Sequence, residues 1–123
     1  MFVIYNPNPM GSRTGDCVIR ALTKAFNVDW YTAYIEVVIQ GYLMADMPSG
    51  NHVWGEYLKE NGYKQKTINE TGRYTVRDFC RDHKRGTFVV ATGSHVVTVK
   101  DGDYYDTWDS GAEIPVYYFE REE

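Results

Sequence analysis

A thiol acts as a nucleophile near neutral pH when its pKa is lowered, a base stands within hydrogen-bond reach, and a third group orients that base. The 123-residue chain holds two cysteines and three histidines. Of these, Cys17 and His95 have the surroundings this chemistry needs. Cys17 falls in the first turn of a predicted helix, behind a loop containing Gly11 and Gly15. The free N–H groups and the positive dipole end there stabilise a thiolate. The same N–H groups, Cys17's own among them, suit the oxyanion of a tetrahedral intermediate. Gly15 lets a substrate backbone approach closely. His95 opens a predicted strand after Gly93-Ser94 and is the candidate base.

Hairpin arithmetic supplies the third group. A two-residue Asp101-Gly102 turn sets Lys100 opposite Asp103, Val97 opposite Asp106 and His95 opposite Trp108. Side chains alternate along a strand, so His95, Val97 and Val99 are expected on one face with Tyr104, Asp106 and Trp108. Asp106 then lies diagonal to His95, within reach of a ring nitrogen. A three-residue turn would favour Asp109 instead.

Other reactive side chains read as structural. Cys80, beside Phe79, is expected to be a small buried hydrophobe. Cys80 and His83 have metal-pair spacing, yet only Cys17 and His95 remain to complete four ligands, so no metal is expected. His52 reads as a solvated residue at a helix start. Lys84-Arg85 complements a helix C-terminus. Arg20, one turn after Cys17, is expected to tie to a carboxylate. Trp54 and Trp108 suit either a groove or the core.

The elements that must position these groups follow from periodicity. Phe2–Tyr5 is β-prone and ends at Asn6-Pro7-Asn8-Pro9. A helical face runs from Cys17 to Phe26, capped by Thr14 or Asp16 and closed by Asn27. Asp29 caps a second helix that runs to about Met44. A third runs from about Asn51 to a stop at Asn61-Gly62. Tyr63–Ile68 suits a short strand, and Thr75 caps a fourth helix ending near His83. Four β-branched or aromatic runs follow: Thr87–Thr92, His95–Lys100, Asp103–Trp108 and Ile114–Phe119. Helices followed by a meander predict an α+β domain over residues 1–123, its N-terminal helices on one side of a C-terminal antiparallel β-sheet.

Composition narrows the function classes. Apolar residues make up 43% and charged residues 24%, as in ordinary globular domains. A net charge of −4 argues against a nucleic-acid partner. The opening residues lack a basic n-region, and no run reaches about 18 apolar residues, so no signal peptide and no membrane partner are expected. Two cysteines suit a reducing compartment, which predicts a cytoplasmic monomer or small homo-oligomer.

Three segments, Thr14–Leu22, Gly93–Val97 and Tyr105–Asp109, carry a resemblance. Cys, then His, then Asp, with the thiol on an early helix and the imidazole on a later sheet, resembles the papain-like fold in its minimal form. Similar patterns occur in the cysteine-peptidase domains that process bacteriocin leaders, in transglutaminase-like proteins, and in small phage and bacterial proteins with Gly-Asp-Cys and a distal His. Thr14–Leu22 also resembles the nucleophile motif of ovarian-tumour deubiquitinases, with Thr14 and Asp16 in place of that family's Asp and Asn. The resemblance implies a cysteine peptidase or isopeptidase with the triad Cys17, His95 and Asp106, a peptide or protein substrate and no cofactor. Papain-type enzymes place a Gln before the cysteine as an oxyanion donor, whereas here no Gln precedes Gln40. Asn8, Thr14 and the Cys17 N–H are the expected substitutes. The resemblance is also compatible with an inactive binding module on the same scaffold, or with acyl transfer to an amine as in transglutaminases.

Overall fold

A computed structural model describes residues 1–70 and 72–122. In chain order the elements are β1 (Phe2–Ile4), α1 (Cys17–Phe26), α2 (Trp30–Met44), α3 (Asn51–Glu60), β2 (Tyr63–Thr67), α4 (Val76–Asp82), β3 (Thr87–Ala91), β4 (Val96–Lys100), β5 (Asp103–Asp106) and β6 (Tyr117–Arg121). The fold is mixed α and β, with four helices and one six-stranded sheet among the described residues.

Local chemistry sets the helix ends. Asp29 caps α2 by accepting the Thr32 N–H at 2.7 Å. Thr75 and Asp78 form a reciprocal capping box on α4. Asn27 closes α1 in the left-handed conformation, φ 55°. Asp101 (φ 51°) and Gly102 (φ 84°) make the two-residue turn that sets Lys100 opposite Asp103.

The sheet order is β1-β5-β4-β3-β6-β2, which corrects the expected antiparallel sheet in two ways. First, the sheet is mixed: β1 pairs parallel to β5, with Ile4 opposite Asp106. Parallel neighbours need a long crossover, and most of the chain separates these two strands, so local turn signals give no sign of the pairing. Second, β6 does not extend the meander beyond β5 but inserts between β3 and β2.

The helices are not all on one side. Ile19, Leu22, Val37, Val53 and Trp54 from α1–α3 share a core with Val89, Ala91, Val96 and Phe119. On the other face Val76, Phe79 and Cys80 of α4 pack with Phe88, Val90, Val97, Val99 and Tyr104. β3 is buried at every position, which suits the unbroken run Thr-Phe-Val-Val-Ala of a strand covered on both faces.

Helix α1 is held by side-chain hydroxyls. Thr98 Oγ1 donates to the Ala21 carbonyl at 2.7 Å, and the Tyr63 hydroxyl donates to the Ala25 carbonyl at 3.0 Å. Helix α2 approaches its exit loop too closely for any side chain at Gly41, where an added Cβ would lie 2.8 Å from the Asp46 carbonyl oxygen. Gly41→Ala is therefore expected to destabilise the protein by about 1–3 kcal/mol through overpacking, a loss that denaturant unfolding would measure.

Candidate active site

Cys17 begins α1 and is partly buried. The loop before it is shaped by asparagine side chains: Asn6 Nδ2 donates to the Ser12 carbonyl at 3.3 Å, and Asn8 Oδ1 accepts the Met10 N–H at 2.9 Å. Asp16 occupies the N-cap position of α1, yet its side chain makes no cap hydrogen bond. Its carboxylate is taken instead by Arg20 Nη1 at 2.7 Å and Trp30 Nε1 at 2.9 Å. The first-turn N–H groups of α1, Cys17's among them, are thereby left without a side-chain cap, available to a thiolate or an oxyanion.

His95 lies just before β4, and Asp106 closes β5. The β4–β5 ladder stops at Thr98 opposite Tyr105. Past that point strict alternation no longer governs, which corrects the expectation that His95 and Asp106 share a face with Val97, Val99 and Tyr104. Those three pack toward α4, whereas Asp106 meets Arg20 of α1. The partner inferred from alternation is nevertheless the one found: His95 Nε2 and Asp106 Oδ2 are 2.6 Å apart. Asp109, the other candidate, accepts from the Tyr104 hydroxyl and from Arg77 Nη2 on the α4 side.

Asp106 is fully buried and fully engaged. Besides His95, it accepts from Ser110 Oγ at 2.6 Å, the Thr107 N–H at 2.8 Å and Arg20 Nη2 at 3.0 Å. Burial alone would raise its pKa, but the hydrogen bonds from His95 and Ser110 outweigh that and hold the carboxyl below its ordinary value. Arg20 is itself buried and bridges Asp16 to Asp106. The expected tie of Arg20 to a carboxylate is thus a tie to two, and one of them is the group that orients His95.

The same balance governs the thiol and the imidazole. Burial would raise the Cys17 pKa, but the His95 hydrogen bond, the Val96 N–H and the charges of His95 and Arg20 bring it below the ordinary thiol value. Burial would lower that of His95, but its bonds to Asp106 and Cys17 prevail and push it up to about 9. With Nε2 held by Asp106, Nδ1 is the ring nitrogen left for the sulfur. His95, Asp106, Arg20 and Asp16 thus form one continuous chain of bonded groups beside Cys17. Trp108 covers the imidazole, its ring 4.9 Å away and tilted by 43°.

Cys17 and His95 line one cavity of about 720 Å³. Asn8 and Thr14, the expected oxyanion groups, line it too. The Asn8 Oδ1 is committed to the loop, so Nδ2 is the part of that amide able to donate to a substrate. Much of the rest of the lining is aromatic and aliphatic, with Trp30, Tyr34, Val37, Trp54 and Tyr117. Trp54 serves both core and cavity, being buried and stacked parallel to Tyr117.

Ser110 is the part of the site that sequence reasoning does not assign to it: it sits in the β5–β6 loop, where no periodicity links it to His95. Trp108, expected opposite His95, does meet the imidazole. Cys80 is buried in the α4 core, and burial pushes its thiol up to about 11. His83 stacks on Phe79 at 3.9 Å, and His52 is exposed at the start of α3. No group of three or more candidate metal ligands occurs among the described residues. No helix among them is long and apolar enough to cross a membrane. Comparison with protein-family models, curated proteins and solved structures finds no match to the chain.

Proposed function

We propose that this protein is a cysteine-dependent acyl-transfer enzyme of papain-like type that hydrolyses peptide or isopeptide bonds. The observation that carries this reading is the buried Asp106 bonded at 2.6 Å to His95, the imidazole that shares an open cavity with Cys17. A charge relay this extensive is costly to bury, and its consequence falls on the sulfur.

In the proposed reaction the Cys17 thiolate attacks the substrate carbonyl carbon, and its electron pair forms the C–S bond while the carbonyl oxygen takes up the negative charge. First-turn N–H groups of α1 and Asn8 Nδ2 donate to that oxyanion. Collapse of the intermediate breaks the C–N bond, and the His95 proton goes to the leaving amine. Neutral His95 then removes a proton from water as the water attacks the thioester, and the thiolate is released with the acid product. Asp106 keeps Nε2 occupied throughout, so Nδ1 carries the proton. The aromatic and aliphatic wall favours substrates with an apolar side chain beside the scissile bond.

The test is iodoacetamide alkylation followed against pH. Thiolate is the reacting form, so Cys17 should show its rate inflection below the ordinary value of about 8.5. That inflection belongs to the coupled Cys17–His95 pair. His95→Ala removes the hydrogen bond and the positive charge, and should move the inflection upward while burial still opposes ionisation. A wild-type profile like that of a free thiol would remove the basis of the reading. It would favour an inactive binding module on the same fold.

A further inference from the structure

Helix α2 has an unusual composition: in Trp30–Met44, Glu36 is the sole charged residue. A helix apolar on all sides is ordinarily buried on all sides. Here one face, with Ala33, Val37 and Gly41, packs inward. The opposite face is in solvent and carries Tyr31, Ile35, Ile39, Tyr42 and Leu43, with Tyr42 83% and Leu43 72% exposed. By ordinary side-chain areas these five residues expose on the order of 650 Å², most of the roughly 800 Å² each partner brings to a standard protein interface. A lone patch on a monomer is usually smaller, about 300–600 Å².

The order of residues along this face indicates what covers it. Tyr31, Ile35, Ile39 and Tyr42 read aromatic, aliphatic, aliphatic, aromatic about the middle of the helix. An antiparallel copy related by a two-fold axis near residue 37 would set Ile35 against Ile39 and Tyr31 against Leu43 and Tyr42. The two isoleucines then meet each other at the centre, and Tyr31 at one end meets Leu43 and Tyr42 at the other, in a self-complementary contact. We infer that the protein forms a homodimer through the outer face of α2, packed antiparallel on itself. Because Tyr31 also lines the cavity holding Cys17, the second copy stands at its mouth. The pairing does not depend on any reaction at Cys17.

Sedimentation equilibrium of the full chain across micromolar concentrations tests this. The wild type should sediment as a dimer. Ile35→Glu/Ile39→Glu should raise the dissociation constant at least about 100-fold while keeping the wild-type circular dichroism, since both positions are exposed. The register has its own test in a Cys17→Ala background. A mixture of Ile35→Cys and Ile39→Cys chains should cross-link on mild oxidation faster than either alone. A wild type that stays monomeric at every concentration would overturn the inference. So would a dimer indifferent to the two glutamates, or a monomer that instead binds neutral phosphatidylcholine vesicles through this face.

Discussion

Cys17→Ala should abolish both hydrolysis of a peptide substrate and covalent labelling by a thiol-directed probe, whereas Cys80→Ala should leave both intact. The contrast follows from surroundings. Cys17 lines the cavity with its pKa lowered, while Cys80 is sealed beneath α4 with its thiol pushed up to about 11. Loss of the nucleophile should reduce turnover by roughly 10⁴-fold or more, because the remaining donors only position and polarise the substrate. Mass spectrometry of the labelled protein identifies the site. Equal labelling of both cysteines at neutral pH, or activity surviving in Cys17→Ala, would refute the assignment of Cys17 as nucleophile.

The second large effect is on stability. Arg20→Met should cost about 3–5 kcal/mol, a substantial part of the roughly 5–15 kcal/mol that holds a domain together. The guanidinium is the cation between two buried carboxylates, Asp16 at 2.7 Å and Asp106 at 3.0 Å, and methionine fills part of its volume while leaving Asp16 with the Trp30 N–H and no cation, and Asp106 with His95 and neutral donors alone. The pH dependence separates this cause from lost packing. Asp106 in the wild type is held below its ordinary pKa, so its contribution is present above the unfolded carboxyl value and is lost as pH falls through the folded one. Without Arg20 a buried carboxylate protonates more readily, so the difference between variant and wild type should narrow in acid. Chemical denaturation at neutral and acid pH measures this, and a penalty independent of pH would point to packing alone.

Much of the architecture is legible in residue order because it is set locally. The Asp29 and Thr75 caps, the left-handed stop at Asn27 and the Asp101-Gly102 turn are short-range devices, and each sits where its residue type demands. The two-residue turn fixes the register from Lys100 and Asp103 as far as Thr98 and Tyr105. The choice of Asp106 over Asp109 made from that register agrees with the fold, although strict alternation has lapsed by that point. What residue order conceals is long-range. Neither the parallel seat of β1 beside β5 nor the insertion of β6 between β3 and β2 has a local signature. The same holds for Ser110, which reaches Asp106 from an irregular loop.

By itself, then, the amino-acid order determines the four helices, the hairpin register and the three side chains Cys17, His95 and Asp106 as a candidate set. Only the folded chain decides that Asp16 turns from capping α1 to Arg20 and Trp30, that Arg20 spans two carboxylates, and that α4 covers the far face of the sheet. The physical reason is the range of the forces involved. Caps and tight turns close within a few residues, whereas a buried charge must find its partner wherever packing has excluded water, however distant that partner is along the chain.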